Sequence, residues 1–127
     1  PDVLITTAPF RTVGQNYGSS HPDHIAAGEA TLSSVYPTAR DRLTFPELLD
    51  EGFEPHKVRE VWVMSREDAD HYNEISEENM EIALKALAAH TSQVPPEAIE
   101  RVRAWKSDNG RQHNMKYAES FRTFTLR

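Results

Sequence analysis

The chain has 127 residues, no cysteine and a formal charge of −6. That length fits one domain, the missing cysteines exclude disulfides, thiolate zinc sites and cysteine nucleophiles, and an acidic balance without a basic stripe excludes nucleic acid as a partner. No apolar run is long enough to span a membrane and no signal peptide is visible, which together with the absence of cysteine fits a reducing cytoplasm.

Val3 to Thr7 ("VLITT") is short and β-branched, and reads as a buried strand. The chain opens directly on it, without a methionine or leader, and so reads as part of a longer polypeptide. Ala8 to Ser20, with Pro, Gly, Asn and Ser, reads as a loop. A helix then opens near Pro22, with Ile25, Gly28, Leu32 and Val35 at helical spacing, and Tyr36-Pro37 ends it.

Thr38 to Lys57 is irregular, punctuated by Pro46 and Pro55, with one helical turn expected at "FPELL". A long irregular segment in a small domain is expected to serve function or to touch another subunit. Val61 to Met64 ("VWVM") reads as a second buried strand, with Trp62 more a core residue than a sugar-stacking one. "DADHYNEIS" reads as a solvated polar connection. Ser76 is a good cap for a helix over Glu77 to Thr91 that turns Met80, Leu84, Leu87 and Thr91 to one face. Another helix starts near Pro96 with Ile99, Val102 and Trp105 inward, and "DNG" (Asp108 to Gly110) reads as its end. The tail "YAESFRTFTLR" fits helix or strand equally.

Alternation of strand and helix predicts an α/β layered fold with a mainly parallel sheet. So few strands do not make a free-standing doubly wound sheet. The chain is therefore expected to be the C-terminal portion of a larger domain, with an unpaired sheet edge that seeks another chain.

The residues with the most chemistry are His21, Pro22, Asp23 and His24. Proline at the first helical position makes His21 the cap and puts His24 in the first turn, its side chain leaning back toward the preceding loop. Asp23 suits the positive end of the helix dipole. The loop follows a strand, and open α/β sheets bind ligands beyond the carboxyl ends of their strands. Two readings stay open from these residues alone: a metal or catalytic site, or an ordinary cap with an acidic first turn. His-x-x-His brings two donors, whereas zinc usually takes three protein ligands and keeps an open position. His56, His71, His90 and His113 are scattered, and each alone reads as a surface or packing residue.

The stretch "HPDHIAAGEATLSSVYPTARDRLTFPELLDEGFEPHKVREVWV", with "ALAAHTSQ" (Ala86 to Gln93) and "KYAESFR" (Lys116 to Arg122) after it, resembles the PIG-L/LmbE-like family of zinc-dependent N-acetylglucosaminyl deacetylases. The resemblance implies a Rossmann-like α/β fold with residues 1–127 as the C-terminal part of one deacetylase domain. It implies Zn2+ as cofactor, with His24 the metal ligand. His21 and Asp23 are then the catalytic residues, His21 aiding the oxyanion or the leaving amine and Asp23 orienting its neighbours. It also suggests His90 as a substrate-binding residue. The family's N-terminal "AHPDDE"-type motif, which supplies the other ligands and the general base, does not occur here. Ile25 stands where relatives often carry Arg or a polar residue, Ala83 where they carry lysine, and "NEIS" where "VDIT" is usual.

The expectation is a zinc-dependent hydrolase that removes acetyl from an N-acetylated sugar-type small molecule, inactive as this chain alone. It needs its missing N-terminal half or a second chain, and by resemblance forms a homo-oligomer. The alternative is a non-catalytic remnant that binds sugar or serves assembly. A third reading is adventitious metal binding by His21 and His24 in a purely structural domain.

Overall fold

A computed structural model describes residues 1–11, 21–65 and 67–127. They form two compact units, residues 1–68 with 122–127 and residues 69–121.

In the first unit, strand β1 (Val3–Thr6) pairs in parallel with β2 (Glu60–Met64), from Val3 opposite Glu60 to Thr6 opposite Val63. Side chains alternate between the faces of a strand. Val61 and Val63 are buried on one face and pack with Val35 and Val58 against Leu4, Ala8, Leu32 and Leu126. Trp62 is half-buried, and its indole N–H donates to Glu60 Oε2 at 2.8 Å. β1 differs from the fully buried strand expected: Val3 is 39% and Ile5 54% exposed, while Leu4 and Thr6 face inward. A β-branched run reads as buried on both faces, but here only alternate residues meet the core.

Helix α1 (Pro22–Ser33) starts at the expected proline, with Gly28 buried along it. A kinked turn (Ser34–Thr38) follows and buries Val35. Tyr36 is extended (φ −151°, ψ 129°), as a residue before proline prefers, and the Tyr36–Pro37 peptide is cis. The "FPELL" turn is α2 (Pro46–Asp50).

In the second unit, α3 (Glu77–Ala88) is capped by Ser76, whose Oγ accepts the Asn79 N–H at 3.1 Å. Met80 and Leu84 on α3 pack with Tyr117, Ile75, Ile99 and Val102. Leu87 is half-buried, whereas Thr91 lies past the helix and is exposed. The helix ends in tight turns, with the Ala89 N–H reaching the Ala86 carbonyl at 3.3 Å and the His90 N–H the Leu87 carbonyl at 3.1 Å, and the His90 imidazole folds back so that Nδ1 donates to the same Ala86 carbonyl at 3.0 Å. Helix α4 (Pro96–Arg111) ends one residue past Gly110 and a turn follows, as "DNG" leads one to expect. Gly110 is needed for close approach: a Cβ on it would lie 2.7 Å from the Met115 carbonyl oxygen and 2.9 Å from Tyr117 Cα. The chain folds back over it through Asn114 at φ 59°, where Met115 N–H donates to Gly110 O at 2.9 Å.

"DADHYNEIS" is not a bare connection. His71–Glu74 form strand β3, antiparallel to β4 (Ala118–Thr125), with His71 opposite Phe121 and Glu74 opposite Ala118. The tail is thus a strand. The strands are ordered β1-β2-β4-β3. The fold is the α/β layered class expected, with β1 and β2 parallel and β3 and β4 antiparallel. Among the described residues, no helix is long and apolar enough to cross a membrane.

Ion pairs tie α3 to α4. Arg103 reaches Glu81 at 2.7 Å, Glu77 at 3.6 Å and Glu100 at 3.9 Å, and Lys116 also meets Glu77. The hydrogen bond to Glu81 holds the Arg103 guanidinium firmly protonated. Lys116 holds the Glu77 carboxyl below its usual value, against a smaller opposing effect of burial.

Candidate functional site

His21 adopts the extended backbone of a helix cap (φ −61°, ψ 137°), and Pro22 follows at the first helical position. The imidazole does the capping: His21 Nδ1 accepts the Asp23 N–H at 3.1 Å. An accepting Nδ1 places the ring proton on Nε2, so His21 offers an N–H donor outward. The Asp23 carboxylate is 3.8 Å from the same Nδ1 and its side chain is 90% exposed. It is the backbone of Asp23, more than its carboxylate, that selects the His21 tautomer.

His24 sits in the first turn of α1, exposed, with its ring edge-to-face on His21 at 6.1 Å between centroids. Among the described residues this ring contact is what its imidazole makes. The expected pairing of His21 and His24 is therefore present, with Asp23 between them. His90 belongs to the second unit and is held by its bond to Ala86. His56 Nε2 lies 2.7 Å from the Pro1 carbonyl, and His113 stacks on Tyr72 at 3.6 Å between centroids.

Two neighbours of the histidine pair have no part in the site read from the sequence, where Gly28 stands only at the helical spacing of Ile25, Leu32 and Val35. The Thr7 hydroxyl, immediately beyond β1, donates to the His24 carbonyl at 2.6 Å. Gly28, one turn past His24, lies against the same strand end: a Cβ on it would stand 2.6 Å from the Thr7 carbonyl oxygen. The helical spacing put Gly28 on the inward face, and only the folded structure shows that it meets the strand end. Nothing in the sequence singled out Thr7 from its neighbours.

Among the described residues, no group of three or more His, Cys, Asp or Glu side chains could hold a metal ion. The imidazoles suit zinc in kind, but two donors fall short of the usual three. The loop expected over Ala8 to Ser20 lies mostly outside the described residues. An apolar cavity of about 400 Å³ in the first unit is lined by Leu4, Val35, Phe45, Leu48, Phe53 and Val58. It adjoins the far end of α1, and neither His21 nor His24 lines it.

No family model matches the sequence, and no curated protein does. The fold is similar to the solved structure of an N,N'-diacetylchitobiose deacetylase from Pyrococcus horikoshii, complexed with its inhibitor MPG. The TM-score is 0.77 at 24% identity, over 98% of this chain and 46% of that one. The chain thus spans about half the length of that deacetylase.

Proposed function

We propose that this chain forms part of a hydrolase of the PIG-L/LmbE-like type, removing acetyl from an N-acetylated amino sugar or a related amide. The observation that carries the reading is the His21–His24 pair at the start of α1, just beyond β1, in a fold shared with a chitobiose deacetylase. Tetrahedral intermediates of amide cleavage carry negative charge that needs a positioned donor, and the leaving amine needs a proton. His21, with Nδ1 occupied by its own helix, presents Nε2–H for that work. His24 is assigned as one ligand of a zinc ion, the other donors coming from outside the described residues. His90, with Nδ1 held by Ala86, would meet substrate through Nε2. Asp23 adds negative charge beside the pair.

The test is calorimetric titration with zinc of the full-length protein and its His24→Ala variant, with acetate release from an N-acetylated amino sugar followed on the same samples. Stoichiometric zinc binding that His24→Ala abolishes supports the reading. Equal zinc binding by both proteins rejects it. The rival is a sugar-binding module without hydrolysis. Saturable sugar binding with neither zinc uptake nor acetate release would establish that rival.

A further inference from the structure

We infer that Thr7 is a positioning residue for the His24 imidazole, acting through the backbone of α1 with Gly28 as its counterpart. The purpose given to that ring rests on the deacetylase reading; the geometry does not.

His21, Pro22, Asp23 and His24 are all exposed, and in the first two turns of α1 only Gly28 is buried. Apolar burial, which has no direction, therefore does little to fix where these rings point. A directed bond does that instead. In an α-helix the His24 carbonyl is the acceptor for the Gly28 N–H. A carbonyl oxygen has two lone pairs, and the Thr7 hydroxyl takes up the second at 2.6 Å. The residue that donates from the helix side is the one whose missing Cβ lets α1 approach the Thr7 carbonyl, with Ala8 C and Pro9 N each 3.1 Å from where that Cβ would be. Residues 7, 24 and 28 thus close a ring of contacts between strand end and helix start. Sliding α1 by one residue means a rise of about 1.5 Å and a turn of about 100°. That slip breaks the hydroxyl bond and drives a side chain into the Thr7 carbonyl. His21 follows, because its carbonyl accepts the Ile25 N–H at 3.2 Å and its ring meets that of His24.

Metal-free NMR of the histidine ring carbons in the full chain tests this. Thr7→Val keeps the shape and removes the donor; Thr7→Ala does so without crowding; Thr7→Ser restores the donor. The expected result is that His24 and His21 ring signals shift and broaden in the Val and Ala variants, return in the Ser variant, and the Met80 methyl stays put throughout. Unchanged His24 ring signals in the Val and Ala variants, or no rescue by Ser, would overturn the inference. A zinc titration separates the two claims. If wild type binds zinc through His24, Thr7→Val should bind about tenfold more weakly, as loss of a supporting contact usually does, and equal affinity counts against Thr7. If His24→Ala leaves zinc binding unchanged, the deacetylase reading falls while the role of Thr7 is decided by the ring signals.

Discussion

Replacing Gly28 with alanine sets two physical rules against each other. By helix propensity alone, Gly→Ala inside α1 should stabilise by about 1 kcal/mol. The structure opposes it: the new Cβ would sit 2.6 Å from the Thr7 carbonyl oxygen, and ordinary contact begins near 3.4 Å, a deficit of 0.8 Å. All three atoms it meets are backbone, so no side chain can swing aside. Overpacking of this kind costs about 1–3 kcal/mol. Backing α1 away also stretches the Thr7–His24 hydrogen bond, worth about 1 kcal/mol. The net expectation is destabilisation of about 1–3 kcal/mol. Trp62 lies in β2 and Trp105 in α4, so urea unfolding followed by fluorescence in a Trp105→Phe background reports the unit that holds Gly28. A Gly28→Ala protein as stable as its parent, or more so, would refute the close approach of α1 to β1.

Two other outcomes are expected in the second unit. Met80, 1% exposed, is the most deeply packed large side chain there, and Met80→Ala should cost about 2–5 kcal/mol by leaving a cavity; a loss below 1 kcal/mol in urea unfolding followed through Trp105 would show that the α3–α4 core is loose. Lys116 holds Glu77 below the ordinary 4.5 of a glutamate. A depressed carboxylate contributes stability above its unfolded value, and that contribution disappears as pH falls through the folded one. Urea midpoints should therefore fall as the pH drops below about 4.5, and Lys116→Met should flatten that limb; an acid limb identical in the variant would show that the pair contributes nothing.

Local elements were legible because local forces make them. Pro22 and Pro96 start helices, Ser76 caps one, Tyr36-Pro37 ends one, and "VLIT" and "VWVM" are strands, each from backbone preferences read over a few residues. The pairing of His21 with His24 followed from three-residue spacing in the same way. Other features had no local signature. β3 is too polar to announce itself as a strand and exists through its ladder with β4, distant in sequence. Gly110 stands in the last turn of α4 as read, but only the returning chain shows that close packing is why a glycine is there. Helix α3 ends at Ala88, where the backbone tightens into turns and the His90 imidazole returns to the Ala86 carbonyl. Thr7 is the sharpest case: the carbonyl its hydroxyl holds lies seventeen positions further along the chain. Periodicity and caps act over one or two turns of chain, so they decide what each segment becomes; hydrogen bonds and contacts between distant segments decide where its side chains point.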